Sequence, residues 1–184
     1  MITTIYLMRH SITERVNYLK DNDSLLVRNQ KQILTIDGEE LAKKVSNNEI
    51  FSDIDMVISS NYVRAMATAK YFTKDDKLNI VEDFGEREFG IEDYKDIPTD
   101  FYEIQLNEDD YKIGQGESQK EVRERMSKAL LEVVNNNEGK TILIVSHNTA
   151  IIFLLKKWCS ISDNKCLLFK DGELIEIENM EVCE

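Results

Sequence analysis

The sequence predicts an α/β fold with three layers, α/β/α, and a mostly parallel central sheet, in one domain spanning residues 1–184. Short apolar runs of strand length alternate along the chain with longer amphipathic segments, a pattern typical of parallel sheets covered by helices. Chemically active side chains occur shortly after three of these runs, near the carboxyl ends where open α/β sheets bind ligands. A chain of 184 residues is also long enough to bury roughly 70% of its unfolded surface.

The first half of the chain contributes three predicted strands. These apolar runs lie at Ile5–Met8, Met56–Ile58 and Leu78–Val81. Residues 11–34 are polar and irregular and predict a long loop with a turn of helix near Leu25–Arg28. Thr35 can cap the start of a helix, and a further helix is expected to begin at about Tyr62.

The second half of the chain is irregular at first and then strongly patterned. Residues 82–119 contain Pro98, the only proline, and predict one helix near Thr99–Leu106. Four further elements are predicted: an amphipathic helix over Glu121–Val134, a strand over Thr141–Val145, an apolar helix over Ala150–Trp158, and a terminal hairpin of Leu167–Phe169 and Leu174–Ile177. Strands and helices that alternate in this way favour a parallel sheet.

Composition excludes several classes of function. The chain has 23 Lys and Arg against 35 Asp and Glu, and 23 − 35 = −12 is a poor match for nucleic acid or an anionic membrane. No apolar run reaches transmembrane length, and the N-terminus lacks the charge order of a signal peptide. Cys159, Cys166 and Cys183 are irregularly spaced and favour reduced thiols in the cytoplasm. The sequence does not indicate an oligomeric state.

Three strand ends bring cationic and imidazole side chains to one edge of the predicted sheet. The chain has two histidines, His10 and His147, and each directly follows a predicted core strand. Arg9 precedes the first histidine, and Arg64 falls in the first turn of the helix after Met56–Ile58. Arginine forks can hold a phosphate bidentately, and a neutral imidazole beside them is a competent nucleophile. The sequence therefore predicts a phosphate site with a nucleophilic histidine.

Each of these residues also has a plainer explanation. Arg9 and His10 can simply begin a solvated loop, and His147 can be a buried, hydrogen-bonded side chain at a strand end. Two histidines can also bind a metal, but a metal site needs a third protein ligand, and neighbouring arginines repel a dication. The convergence of the strand ends favours a phosphate site without metal or cofactor.

Ordered motifs in the chain resemble those of the histidine phosphatase superfamily, whose fold is phosphoglycerate mutase-like. Residues 9–13, Arg-His-Ser-Ile-Thr, resemble the R-H-G-x-[ST] signature, and residues 59–69 resemble S-S-x-x-x-R-A-x-x-T-A at every fixed position. Shorter matches are Leu34-Thr35-Ile36-Asp37-Gly38, Glu86 with Phe89-Gly90, Gly116-Glu117-Ser118 and Val145-Ser146-His147. The motifs occur in the family order and span residues 3–147.

The resemblance implies a role for each residue that matches a motif. His10 is the implied nucleophile that attacks phosphorus and becomes the phosphohistidine. Arg9, Arg64 and His147 would hold the phosphoryl oxygens and neutralise the charge that develops on them. Glu86 is the implied general acid, and it needs a raised pKa in order to start the reaction protonated.

Three further residues have implied or competing roles. Glu88 is the rival to Glu86 as the acid, although the spacing to the Phe-Gly pair favours Glu86. The hydroxyl of Thr13 matches a family position and can donate to a phosphate oxygen. Glu117 is expected to tether the second histidine or a loop.

The chain departs from the family pattern at three positions. Ser11 stands where the family usually has glycine, and Asn148 replaces glycine after the second histidine. Asn17 lies one residue beyond the position of the family asparagine, which Val16 occupies, so Asn17 is a looser candidate for substrate binding. These changes affect the fine geometry of the site and not the phosphohistidine itself.

The expected function is hydrolysis of a small phosphomonoester by a cytoplasmic, metal-independent phosphatase. One alternative is a mutase, which returns the phosphoryl group to substrate; such mutases resemble longer chains, whereas only residues 91–115 are available here as a lid. A second alternative is a silent module that binds a phosphorylated ligand, but this would require the loss of a group such as His10 or Glu86, and both are present.

The identity of the substrate stays open in the sequence. Contacts to the leaving group are expected from residues 15–32 and 91–115, which include Arg28 and Tyr94. Phosphosugars, phosphoglycerates, nucleotide-sugar intermediates and a phosphorylated cofactor precursor all fit the motifs.

Overall fold

The computed structural model describes residues 2–14, 23–74, 77–160, 169–170, 173–174 and 181–182. The strands are β1 (Thr4–Arg9), β2 (Met56–Ser59), β3 (Asn79–Ile80), β4 (Thr141–Ser146), β5 (Cys159–Ser160), β6 (Phe169–Lys170), β7 (Glu173–Leu174) and β8 (Glu181–Val182). The α-helices are α1 (Leu25–Lys31), α2 (Ile36–Ser46), α3 (Val63–Ala69), α4 (Phe101–Asn107), α5 (Gln119–Asn135) and α6 (Asn148–Trp158).

The central sheet has four strands in the order β1-β4-β2-β3, and every pair in it is parallel. Strand β4 therefore lies between β1 and β2, with Arg9 opposite Ser146 and Ser59 opposite Val145. The predicted α/β architecture with a mostly parallel sheet is confirmed. Because the three long strands run in the same direction, their carboxyl ends meet at one edge.

Two hydrophobic cores cover the two faces of the sheet. Along β4, Leu143 and Val145 face one core, whereas Ile142 and Ile144 face the other. The first core includes Ala65 and Ala69 of α3 together with Phe51 and Phe72; the second includes Val122 and Met126 of α5 together with Phe153 and Leu154 of α6. Helices on both faces give the three predicted layers.

The helix starts follow the capping residues of the sequence. Thr35 accepts a hydrogen bond from the backbone N–H of Gly38 at 2.9 Å, as predicted for the start of α2. Ser118 and Glu121 form a reciprocal capping box at the start of α5. These caps fix where each helix begins, and hence which face it presents to the sheet.

Some elements differ from the predicted ones in extent. Helix α1 covers seven residues, longer than the single turn expected near Leu25–Arg28. Strand β3, at the edge of the sheet, covers only Asn79–Ile80, shorter than the predicted Leu78–Val81. Strands β6 and β7 pair antiparallel, as expected of a terminal hairpin, although most of its predicted residues lie outside the described part. The antiparallel pairing of β5 with β8 has no counterpart in the sequence prediction.

Among the described residues, no helix combines the length and the apolar character needed to cross a membrane.

Candidate active site

His10 directly follows β1, and its backbone joins the ends of two strands. Its N–H donates to the carbonyl oxygen of Ser146 at 2.9 Å. The side-chain Nδ1 lies 2.8 Å from the carbonyl oxygen of Ser11. Because a carbonyl only accepts, Nδ1 carries the hydrogen and Nε2 keeps a free lone pair. Burial, reinforced by the charge of Arg64, lowers the pKa of His10 to about 3, so the ring is neutral at ordinary pH.

His147 directly follows β4 and is fully buried. Its ring centroid lies 5.2 Å from that of His10. Nδ1 accepts a hydrogen bond from Arg64 at 3.1 Å, and Nε2 lies 2.8 Å from the hydroxyl oxygen of Ser60. Since arginine has only donors, the hydrogen of the neutral ring is on Nε2, which donates to Ser60. Burial, together with the charge of Arg64, holds the pKa of His147 far below its ordinary value.

Arg64 reaches this pocket from the first turn of α3 and is only 3% exposed. Besides His147, its guanidinium donates to the carbonyl oxygen of Asn29 in α1 and lies 4.8 Å from the centre of the Tyr62 ring. Its buried Nε has no hydrogen-bond partner. A buried donor without a partner is costly and is expected to receive an acceptor from a ligand.

Arg9 is the last residue of β1 and its side chain is exposed. It precedes His10 at the carboxyl end of the strand, and its charge contributes to the lowered pKa of both histidines. The structure thus brings His10, Arg64 and His147 together at one edge of the sheet, with Arg9 next to His10 in the chain.

Glu86 lies beside the same pocket, beyond the short edge strand. One carboxylate oxygen accepts hydrogen bonds from the backbone N–H groups of Arg87, at 2.9 Å, and Ala150, at 3.2 Å. Burial raises the pKa of Glu86, while these two bonds and the charges of Arg64 and Arg125 oppose the rise. The rival Glu88 is exposed, and its backbone is bound to Glu117: its N–H donates to the Glu117 carboxylate at 3.0 Å, and its carbonyl oxygen accepts from the Glu117 N–H at 2.7 Å.

Two arginines that sequence reasoning missed hold the segment that carries Glu86. Arg125 of α5 donates to the carbonyl oxygens of Gly85 and Glu86, at 3.1 and 3.2 Å, and pairs with Glu117 at 2.6 Å. Glu117 thus tethers a loop, one of the two expected alternatives, and not the second histidine.

The other missed residue, Arg87, is 2% exposed. Its guanidinium carbon lies 4.8 Å from the centre of the Phe101 ring, 5.4 Å from Phe89 and 5.7 Å from Phe153. It also donates to the carbonyl oxygen of Glu117 at 2.8 Å. Nothing in the sequence distinguished Arg87 from the other charged residues of an irregular, acidic segment.

Ser11, which replaces a family glycine, is accommodated by hydrogen bonds. Its backbone N–H donates to the hydroxyl of Thr68 at 2.9 Å, and its own hydroxyl donates to the carbonyl oxygen of Gly38 at 2.8 Å. Gly38 is required here, because a Cβ at this position would overlap the carbonyl oxygen of Ile12. The start of α2 is therefore packed directly against the backbone that follows His10.

The remaining expected residues are placed as follows. Asn148 is the first residue of α6, so it adopts a helical position that needs no glycine. Thr13 forms an isolated antiparallel bridge with Leu34, which positions the chain leaving the pocket. Asn17 lies outside the described residues. Within the described part of the chain, no three His, Cys, Asp or Glu residues form a group suited to a metal ion.

The fold and this site define an α/β protein whose parallel strands present two neutral imidazoles, a buried arginine and a partly buried carboxylate at one edge. The chain belongs to the histidine phosphatase superfamily (branch 1), whose profile matches residues 5–178. The resemblance inferred from the ordered motifs is confirmed. A comparison with curated proteins finds no match.

Several solved structures share the fold. A mutant phosphoserine phosphatase from Entamoeba histolytica, in complex with phosphoserine, is 26% identical with a TM-score of 0.67, covering 84% of this chain and 78% of its own. The α-ribazole phosphatase from Shigella flexneri is 22% identical with a TM-score of 0.63, covering 83% and 78%. A mycobacterial glucosyl-3-phosphoglycerate phosphatase is 18% identical with a TM-score of 0.65, covering 82% and 76%. At such identities the last two bear on the fold alone.

Proposed function

We propose that this protein is a metal-independent phosphatase that hydrolyses a small phosphomonoester through a covalent phosphohistidine on His10. The observation that carries the proposal is the free Nε2 lone pair of a neutral His10 beside Arg64, whose buried Nε lacks a partner. An imidazole in this state is a nucleophile, and a phosphoryl oxygen would supply the missing acceptor. Membership of the superfamily and the phosphatases among its structural relatives support the same reaction class.

In the first step, the Nε2 lone pair of His10 forms a bond to phosphorus as the bond between phosphorus and the ester oxygen breaks. Arg9 and Arg64 hold the phosphoryl oxygens, where charge is spread in the transition state. The ring nitrogens of His147 bind Arg64 and Ser60, so His147 orients Arg64, and it would donate to a phosphoryl oxygen only by giving up its bond to Ser60. Glu86 donates its proton to the departing oxygen, so that an alcohol leaves. The burial that raises the pKa of Glu86 favours the protonated form that this step needs.

In the second step, Glu86 is a carboxylate and takes a proton from water while the water oxygen attacks phosphorus. The bond between phosphorus and Nε2 breaks, phosphate leaves, and both His10 and Glu86 return to their starting states. We place this reaction in the cytoplasm, in keeping with the irregularly spaced cysteines.

The test is hydrolysis of p-nitrophenyl phosphate in EDTA by the wild type, His10→Ala and Glu86→Gln. We expect activity that survives chelation and is lost in His10→Ala. Glu86→Gln is expected to lose about 10²–10⁴-fold on an alkyl phosphate and less on the aryl phosphate, whose leaving group needs no proton. Activity abolished by EDTA would contradict the metal-independent mechanism.

A mutase would use the same phosphohistidine and return the phosphoryl group to an acceptor alcohol. Assaying 3-phosphoglycerate with and without a bisphosphate primer separates the two reactions. Release of inorganic phosphate without primer supports the phosphatase, whereas primer-dependent isomerisation without release of phosphate would favour the mutase.

A further inference from the structure

The ring of Tyr62 contacts three parts of the candidate active site, although the proposed mechanism gives it no role. Tyr62 immediately precedes α3 and is 3% exposed. Its ring centroid lies 4.6 Å from that of His147, with an angle of 60° between the two planes. The guanidinium carbon of Arg64 lies 4.8 Å from the centre of the same ring. The third contact is with Gly85, in the segment that carries Glu86.

Gly85 lies directly before Glu86 and packs against the edge of the Tyr62 ring. A Cβ added at Gly85 would lie 3.1 Å from Cε2 of Tyr62 and 3.0 Å from the carbonyl oxygen of Glu82. Carbon atoms in ordinary contact are about 3.5–4.0 Å apart, so glycine is the residue that fits here. The ring therefore fills the space between the phosphoryl pocket and the backbone that leads to Glu86.

The backbone of Tyr62 fixes the position of the ring. Its carbonyl oxygen accepts hydrogen bonds from the N–H groups of Ala65 and Met66, both at 3.0 Å, as expected of the residue before a helix. Its own N–H donates to the hydroxyl oxygen of Ser60 at 3.4 Å, and the same oxygen lies 2.8 Å from Nε2 of His147. Because the backbone is bound and the side chain is buried, the ring can act as a spacer of fixed position.

The ring also stabilises the charge of Arg64, whose hydrogen-bond partners are both neutral. The guanidinium donates to the carbonyl oxygen of Asn29 and to the imidazole of His147, and burial lowers its pKa. Burial raises the pKa of Tyr62, so the phenol stays neutral and offers the cation the face of its ring. A ring without the hydroxyl would offer the same face, whereas an aliphatic side chain would not.

Building on the proposed function, we propose that Tyr62 is a positioning residue whose ring sets the separation between the phosphoryl pocket and Glu86. On one side, the ring orients Arg64 and His147. On the other side, it limits how closely the Gly85 backbone approaches the pocket. A displacement of about 1 Å can cost about 10²-fold in rate, so the spacing matters most to the step in which the leaving group takes a proton.

The competing explanation is that Tyr62 is only a core residue, since it also packs with Ala65 and Val145. Loss of packing alone would lower the turnover of every substrate alike. Loss of a spacer has the largest effect on substrates whose leaving group needs a proton. Phenyl phosphate and p-nitrophenyl phosphate have nearly the same shape, but phenoxide is the more basic leaving group and depends far more on the acid.

The test compares kcat/KM on these two substrates for the wild type, Tyr62→Leu and Tyr62→Phe. We expect Tyr62→Leu to lose about tenfold on p-nitrophenyl phosphate and about 100-fold on phenyl phosphate, where displacement of the acid adds a second loss. Tyr62→Phe keeps the ring and should stay within about threefold of wild type on both. An unchanged ratio between the substrates in Tyr62→Leu overturns the proposal, and so does a Tyr62→Phe protein as impaired as Tyr62→Leu.

Tyr71→Leu is the matched control. The ammonium of Lys70 lies 4.8 Å from the centre of the Tyr71 ring, the same distance as between Arg64 and Tyr62, and Tyr71 packs against the same hydrophobic core. Lys70 pairs with Glu39 at 2.7 Å and not with a group of the site. Tyr71→Leu should therefore leave the ratio between the two substrates unchanged. A ratio that changes as much as in Tyr62→Leu would mean that any loss of packing alters it, and would overturn the proposal.

A further variant and a binding measurement complete the test. If Tyr62→Leu does not fold, Tyr62→Met fills most of the volume without a ring and should change the ratio in the same direction; an unchanged ratio again overturns the proposal. A wild type inert on both substrates defeats the proposed function instead. The ring is then tested by calorimetric binding of inorganic phosphate, which Tyr62→Leu should weaken about tenfold and Tyr62→Phe should not. Equal binding by the two variants overturns the role of the ring.

Discussion

The guanidinium of Arg64 donates a hydrogen bond to Nδ1 of His147, with 3.1 Å between the two nitrogens. This single contact joins α3 to the end of β4 and fixes the hydrogen of the imidazole on Nε2. Both residues are almost completely buried, at 3% and 0% exposure, so the contact is shielded from water. The pocket therefore has its electrostatic arrangement in place before any ligand arrives.

Arg64→Lys should show how much this arrangement depends on a fork of donors. A lysine cannot reach Asn29 and His147 together and still present a further donor to the ligand. We expect kcat/KM for p-nitrophenyl phosphate to fall about 10²–10³-fold. Lys31→Arg, an exchange of cations at the exposed last residue of α1, should have no effect. Activity within threefold of wild type would show that charge alone suffices.

Ser60→Ala should act through the second histidine. Ser60 lies 2.8 Å from Nε2 of His147, and its loss leaves that buried donor without a partner. We expect a loss of about 1–3 kcal/mol in the free energy of unfolding, measured by urea denaturation, together with a lower kcat. Ser59→Ala is the matched control, because this buried neighbour donates only to the adjacent backbone carbonyl at 2.9 Å. Equal effects in the two variants would speak against a role in the site.

The pH dependence of turnover should reflect the shifted pKa values of His10 and Glu86. The pKa of His10 is lowered from 6.5 to about 3, so the nucleophile stays unprotonated as the pH falls through 6.5. The pKa of Glu86 is raised from 4.5, so the acid stays protonated to a higher pH and is lost above its raised value. For an alkyl phosphate, kcat/KM should fall on the alkaline side, and Glu86→Gln should remove this fall. A loss of activity on the acid side centred near 6.5, after correction for the substrate, would contradict the neutral His10.

Arg125→Lys should weaken the positioning of Glu86 without weakening phosphate binding in the phosphoryl pocket. Arg125 donates through Nη2 to the carbonyl oxygens of Gly85 and Glu86 and pairs with Glu117 through Nε and Nη2. Its Nη1 donates to the carbonyl oxygen of Asp83. We expect kcat on an alkyl phosphate to fall about tenfold, the worth of one or two such bonds, with inhibition by inorganic phosphate unchanged. Arg123→Lys, on the same helix but paired with Asp109 at the surface, serves as the control. A parallel rise in the phosphate inhibition constant would argue for general disruption of the site.

Gly38→Ala should lower the free energy of unfolding, although a glycine-to-alanine substitution in a helix usually raises it. Alanine in place of glycine in a helix normally stabilises by about 0.5–1 kcal/mol. Here the added methyl would overlap the carbonyl oxygen of Ile12, so we expect a loss of about 1–3 kcal/mol in the free energy of unfolding and reduced activity. Glu40→Ala, at an exposed position of the same helix, should change stability little. A stabilised Gly38→Ala protein would show that the close approach is not required.

The sequence predicted the parts of the fold that depend on local pattern. The strands that become β1, β2 and β4 are short apolar runs between polar segments, and their length and β-branched residues identify them. Because parallel strands end at one edge, the meeting of His10 with His147 also followed from the chain order. The residues that hold the Glu86 segment could not be predicted in this way. Arg87 and Arg125 act through partners far along the chain, which no local pattern reveals. The ring tautomers likewise depend on contacts such as Ser60 with His147.

The backbone around His10 is bonded to segments that are far apart in the chain. The N–H of His10 binds Ser146, that of Ser11 binds Thr68, and the hydroxyl of Ser11 binds Gly38. Consequently, fraying of one segment alone cannot displace the reactive imidazole, because hydrogen bonds to three separate stretches of chain must break at the same time. On heating, catalysis should therefore persist until the cooperative melting of the whole sheet, and inactivation and unfolding should share one midpoint.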